Sequence, residues 1–151
     1  MKRSEVTAAQ AQVRRQMEGA GLVLEPEAHI EIADFGLGHF SQEGLGIVIR
    51  VNEPEYCSKW LVLVPGQECP FHYHKMKKET FFVLQGEVNL QMDEEEVVLR
   101  PGRSYTLRPG VGHSFRSVGG AVIEEVSTYD ENSDSYFTNA NILRDPMIDE
   151  D

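Results

Sequence analysis

The chain has 151 residues, 40% of them hydrophobic and 26% charged, enough for one domain that buries a core without staples. A formal net charge of −11 excludes attraction to phosphate backbones or anionic lipid, leaving neutral sugars and metal cations open as ligands. No apolar run is long enough to span a bilayer and the opening MKRSEVTAAQAQ lacks a signal-peptide core, so a cytoplasmic location is expected. In chain order, residues 4–19 predict a helix capped by Ser4, with Val6, Ala9, Val13, Met17 and Ala20 on one stripe and Gly19 and Gly21 as a stop. HIEIADF after Pro26 alternates like a strand, and GLGHFSQEGLG reads as a glycine-punctuated hairpin rather than a nucleotide loop, for want of a strand–helix context or a lysine. From Leu45 onward come short strand candidates at 45–51, 59–64, 70–74, 80–85, 87–92, 95–100, 104–108, 112–117 and 121–128. Such spacing, with almost no helix between, predicts an all-β antiparallel sandwich or barrel. The expected organisation is a single domain: helix and linker over 1–28, barrel over 29–128, and a polar, acidic arm over 129–151 that frays at its end. Cys57 and Cys69 form no disulfide framework and are expected as small buried hydrophobes, a pairing across neighbouring strands staying open.

The chemistry concentrates in GQECPFHYHKMKKETFFVLQG, residues 66–86. His72 and His74 are two apart and share a face of an extended strand, so their imidazoles can converge on one ion. Glu79 has the wrong parity for a straight strand, so a turn is expected at Lys75–Lys78 that folds its carboxylate back beside them. Two imidazoles and a carboxylate suit a borderline-hard divalent metal.

This stretch resembles the first cupin motif, G-x5-HxH-x4-E-x6-G, at Gly66, His72, His74, Glu79 and Gly86. GRSYTLRPGVGHSFRS (102–117) resembles the second, with Gly102, Gly110 and His113 matching, Arg108 at the place of a proline and Ser117 at that of an asparagine. The resemblance implies a cupin (double-stranded β-helix, jelly-roll) barrel with His72, His74, Glu79 and His113 as metal ligands. His29 and His39 match nothing and read as surface or hairpin residues.

Other groups stay two-sided on spacing alone. Lys59 shares a face with Leu61 and Leu63, so it either points into the barrel, where a lysine can move protons, or guards a strand edge. Of Glu124 and Glu125, alternation sends one inward and one outward without choosing between them. Phe115 shares the face of His113 as a pocket wall or a core residue, and Arg108 is either a ligand-facing charge or a loop residue.

From about Ala20 to the end the sequence resembles the D-lyxose isomerase (D-lyxose ketol-isomerase) branch of cupins. The resemblance is carried by AGLVL (20–24), ADFGLG (33–38), YCSKWLVLVPGQECPFHYH (56–74), KKETF (77–81), RPGRSYTLRPGVGHSF (100–115) and EEVST (124–128). It implies a homodimeric metal-dependent enzyme interconverting aldoses and ketoses, D-lyxose with D-xylulose and also D-mannose with D-fructose. It implies Mn2+ as the usual ion, with Fe2+, Co2+ or Zn2+ as other occupants. Four protein ligands would close a tetrahedral zinc site, whereas a six-coordinate ion keeps two positions open for sugar oxygens. Lys59 matches the family's active-site lysine and Glu125 its strand glutamate, which gives Glu125 the inward face and the proton transfer of a cis-enediol route. A shorter connection between H-x-H and Glu79, and a shorter insertion between the motifs, set this chain apart from some members. Small cupins of nonulosonic-acid and capsular sugar biosynthesis share YC-K and H-x-H-x2-K-x-E-T-F. A non-catalytic sugar-binding cupin and an Fe2+ dioxygenase are the rival functions.

Overall fold

The structure is a computed structural model describing residues 1–151. Helix α1 spans Arg3–Gly19 and buries Val6, Ala9, Val13 and Met17, the stripe its spacing predicts. It starts before Ser4, however: the Glu5 carboxylate accepts from the Lys2 N–H at 2.7 Å, while Ser4 lies inside the first turn and bonds Asp151.

Eleven strands follow: β1 Glu31–Ala33, β2 Leu45–Glu53, β3 Tyr56–Leu63, β4 Gln67–Tyr73, β5 Glu79–Gly86, β6 Val88–Gln91, β7 Glu96–Leu99, β8 Ser104–Leu107, β9 His113–Ser117, β10 Ala121–Ser127 and β11 Tyr136–Phe137. They form two sheets, ordered β1-β2-β3-β10-β5-β8 and β11-β4-β9-β6-β7, with every named pairing antiparallel. This is the expected all-β cupin barrel. The glycine-punctuated segment joins β1 to β2 as a hairpin connection, with left-handed backbone at Gly36 and Gly38.

Alternation makes the core. Along β5, Phe81 and Val83 face in while Phe82 faces out, and inward residues such as Leu61, Leu63, Leu90, Phe115 and Ile123 fill the space between the sheets. Each such side chain contributes roughly 1.5–3 kcal/mol on burial. Helix α1 covers one half of the six-stranded sheet's outer face, packing Val13 and Met17 on Val48, Val62 and Val122. Val13 sits so close above Gly46 that a β-carbon there would lie 2.7 Å from it. Strand β10 shows the result: Ala121, Val122 and Ile123 are all buried, but beyond the helix the pattern returns to alternation at Glu124, Glu125, Val126 and Ser127.

The arm after β10 departs from the expected frayed extension. It carries Asp130, a 3-10 turn at Asn132–Asp134, and β11, which pairs with β4. Near its end the Asp149 carbonyl accepts from Arg3 N–H at 2.8 Å and its N–H donates to the Met1 carbonyl at 2.9 Å. Docking of a charged segment by its backbone leaves no trace in hydropathy. Cys57 and Cys69 are buried and free, and no helix is long and apolar enough to cross a membrane.

Candidate metal centre

The centre begins with an irregularity in β4. Cys69 and His72 are three apart, so in a regular strand they would face opposite ways. The register against β9 shifts between them, pairing Cys69 with Phe115 and His72 with His113. Pro70, which has no N–H for the ladder, falls within this irregular stretch. The shift brings His72 and His74 inward beside His113, at the start of β9. After the turn at 75–78, Glu79 opens β5 with its carboxylate pointing inward. Ligand atoms of His72, His74, Glu79 and His113 lie within 4.8 Å of one another, and all four side chains are buried.

Each imidazole is oriented from behind. Nδ1 of His72 lies 2.8 Å from the Pro70 carbonyl, that of His74 lies 3.0 Å from the Asp134 carbonyl, and that of His113 lies 3.0 Å from the Val111 carbonyl. A carbonyl only accepts, so every Nδ1 holds a proton and every Nε2 presents a lone pair to the centre. Burial, then the neighbouring His113 and His74, pushes His72 down to about 3, keeping it neutral as a ligand must be.

The donor set fits a cation. Glu79 Oε1 lies 3.5 Å from Nε2 of His74 and 3.1 Å from Nε2 of His113, and neither Glu79 Oε1 nor His113 Nε2 has a hydrogen-bond partner. Acceptors facing one another in a buried space are costly unless a positive charge joins them.

A second layer of charge surrounds this cluster. Lys77, part of the expected turn, points inward and is buried. Its Nζ is 3.1 Å from Glu79 Oε2, 3.4 Å from Glu125 Oε2 and 3.0 Å from Asp130 Oδ1. Burial works to lower its pKa, but Glu125, Glu79 and Asp130 outweigh it and hold Lys77 well above the ordinary lysine range. Burial likewise works to raise Glu79, but the Lys77 ammonium outweighs it, leaving the carboxyl well below its ordinary value. Glu125 is pushed up to about 7 by burial and then by the charge of Glu79, against the pull of Lys77 and Lys59.

Strand register places the remaining sequence candidates. Glu125 pairs with Lys59 on β3 and Phe81 on β5, and Lys59 pairs with Ile49 on β2, so these side chains form one inward row across the six-stranded sheet. Glu124 takes the outer face, where it bonds Arg50 at 2.8 Å. Lys59 is not an edge lysine: β3 lies between β2 and β10, and its Nζ reaches Asp130 at 2.8 Å. Burial works to raise Asp130, but Lys77 and Lys59 bring it down to about 2. Phe115 lines the cavity, whereas Arg108, His29 and His39 are exposed and lie outside it.

The cavity over this layer measures about 340 Å³ and is walled by Leu61, Phe81 and Phe115 below and by Asn132, Arg144 and Asp145 of the arm at its mouth. Sequence reasoning missed Lys77, Asp130 and Asp134. The two-residue spacing of Lys77 from Glu79, which suggests a shared face, was the one available signal; nothing in the polar arm marked the two aspartates.

Comparisons with known proteins agree with this geometry. The family model described as D-lyxose isomerase matches residues 7–93, and the cupin domain model matches residues 59–129. The chain is 33% identical to the D-lyxose/D-mannose isomerase of Thermosediminibacter oceani, covering 99% of each chain. It is also 33% identical to the D-lyxose ketol-isomerase of Cohnella laeviribosi, covering 100% of each. Among solved structures, the L-ribose isomerase of Acinetobacter sp. DL28 in complex with L-ribose superposes with a TM-score of 0.83 at 16% identity, covering 100% of this chain and 98% of that one, a likeness of fold alone. With a family model matching over half its length and relatives aligned from end to end, the chain belongs to the D-lyxose isomerase family.

Proposed function

We propose that this chain is a metal-dependent aldose–ketose isomerase that interconverts D-lyxose and D-xylulose, and accepts D-mannose and D-fructose as a second pair. One observation carries the reading: a buried carboxylate, Glu125, shares an inward row with Lys59 and is joined through Lys77 to the four-ligand cluster. The names of the full-length relatives support the choice of sugars.

His72, His74, Glu79 and His113 would hold the divalent ion, Mn2+ by preference since a six-coordinate ion keeps positions free. When bound, it supplies Lewis-acid polarisation of the sugar oxygens next to the reacting carbons. The chain's own groups move the protons. Glu125 takes the proton from C2 of the open-chain aldose, and the electron pair left behind forms the C1=C2 bond of a cis-enediol as O1 takes a proton from Lys59. Return of the proton from Glu125 to C1, with the O2 proton passing back to Lys59, gives the ketose. Lys59 steadies the oxygen on which negative charge develops, and Asp130 holds its ammonium in place. Lys77 lies between the two carboxylates, holding Glu79 charged while Glu125, near 7, can take up and return a proton.

On the same proposal the chain acts as a single domain and works as a cytoplasmic homodimer. Phe82 and Val126, each 41% exposed on the six-stranded sheet's outer face beyond α1, support a self-associating surface there. Sedimentation velocity tests it.

The deciding experiment is to determine the metal of the purified protein and assay aldopentoses and aldohexoses for ketose formation. Glu125→Gln is expected to abolish turnover while Mn2+ content stays at the wild-type level. An active Glu125→Gln enzyme overturns the assigned role. Sugar binding by calorimetry without ketose formation points to a binding protein, and O2 uptake without isomerisation to a dioxygenase.

A further inference from the structure

The connection from His74 to Glu79 is short and has little to hold it. The amides of Lys75, Met76 and Lys77 donate to no backbone carbonyl. All three converge instead on one carboxylate from the arm, Asp134, which is 7% exposed. Its Oδ1 accepts from Lys75 N–H at 2.9 Å and Met76 N–H at 3.2 Å, and its Oδ2 from Met76 N–H at 3.1 Å and Lys77 N–H at 3.0 Å. The same residue's carbonyl accepts from Nδ1–H of His74. Asp134 thus grips both ends of the segment: the imidazole of one ligand, and the backbone of the lysine that bonds another.

We infer that Asp134 is a positioning residue for the metal centre, acting through His74 and the Lys75–Lys77 backbone without touching substrate. The inference rests on the metal-centre reading above. The carbonyl fixes which nitrogen of His74 is protonated and which way the ring faces. The carboxylate sets where Lys77 enters the barrel, and so where its ammonium meets Glu79 Oε2 and leaves Oε1 toward the imidazoles. Because Asp134 sits in the 3-10 turn of the segment that supplies Asn132 and Ser135 to the cavity, the mouth and the ligand cluster are one connected unit.

The test uses Asp134→Ala and Asp134→Asn in the full chain. Mn2+ affinity is measured by competition with a chelating dye, below the unfolding temperature of each variant, with amide hydrogen exchange at residues 75–77 and kcat on D-lyxose alongside. Loss of such an outer partner typically weakens metal binding by about 10–100-fold, and that is the result expected for Asp134→Ala. Asparagine keeps one acceptor oxygen but offers an NH2 to the amides at the other, so its affinity should fall between Ala and wild type, with faster exchange at Lys77. At saturating Mn2+, kcat should stay depressed in both variants because Lys77 remains displaced. If Asp134→Ala does not fold, Asp134→Asn carries the test, with a Kd raised about tenfold, the low end of that range, expected. Variants that lose thermal stability but bind Mn2+ within twofold of wild type overturn the inference. A wild-type protein that binds no Mn2+ overturns the metal centre itself, a result distinct from wild-type binding that the variants preserve.

Discussion

Replacing Lys77 by methionine isolates the charge at the heart of the site. Methionine keeps most of the volume and flexibility of the lysine stem, so the cavity penalty is small. What disappears is the ammonium standing 3.1 Å from Glu79, 3.4 Å from Glu125 and 3.0 Å from Asp130. Breaking a buried ion pair by removing one partner costs about 3–5 kcal/mol. A second route to the magnitude agrees: a stranded carboxyl can escape by taking up a proton, which at pH 7 costs about 3.5 kcal/mol from an ordinary carboxyl pKa. For a chain of 151 residues that loss lowers the unfolding midpoint by about 9–16 °C. The assay is thermal unfolding by circular dichroism at pH 7 in EDTA, repeated with saturating Mn2+. Because a bound dication supplies the charge Glu79 lost, the deficit should narrow with Mn2+ present. It should also narrow as pH falls from 7 to 5, where protonation of the stranded carboxyl costs less. A midpoint within about 3 °C of wild type in EDTA, equivalent to about 1 kcal/mol, would refute the claim that Lys77 holds these carboxylates together.

Three further outcomes are expected. Dialysis against EDTA removes isomerase activity and Mn2+ restores it; full activity in metal-free protein would contradict the assignment of the four ligands. The stability gap between wild type and Asp130→Asn, followed by urea unfolding, reflects a carboxyl lowered to about 2 in the folded state from about 3.9 unfolded. Its folded pKa is depressed, so the stabilisation is fully present above about pH 4, reaches roughly 2 kcal/mol, and fades as pH falls toward 2; a gap unchanged between pH 5 and pH 2.5 refutes it. Gly86→Ala should destabilise the protein by several kcal/mol without touching the site, because Gly86 has φ +84 and a β-carbon there would run into the Gly120 carbonyl oxygen; an unchanged urea midpoint contradicts this.

The barrel was legible because β-strands write alternation into the sequence, and each strand expected from Leu45 onward appears within a few residues of its place. The clustering of His72, His74, Glu79 and His113 was legible because H-x-H and the second motif fix their spacing. Glu125 was not, on spacing alone: an inward and an outward glutamate look identical until register pairs one with Lys59 and sends the other to Arg50. The inward turn of Lys77 was not legible because, its spacing from Glu79 apart, nothing local distinguishes it from its neighbouring lysines; besides nearby Glu79, the carboxylates that make its burial tolerable are the distant Glu125 and Asp130. Asp130 and Asp134 were invisible for the same reason. Their partners lie more than fifty residues away, and an acidic arm carries no local signal of docking.

The tight link between His74 and Glu79 has a consequence for anyone wishing to retune which sugar is accepted. A segment clamped at every amide leaves no slack, so randomising positions 75–78 should yield mostly dead clones. Diversity is better introduced on the β1–β2 side, at Glu31, Ala33 and Ile47, which border the cavity yet supply none of the candidate ligands and hold none of the 75–78 amides. Libraries confined to that side can alter which hydroxyls and chain lengths fit while the reactive end of the pocket keeps its shape.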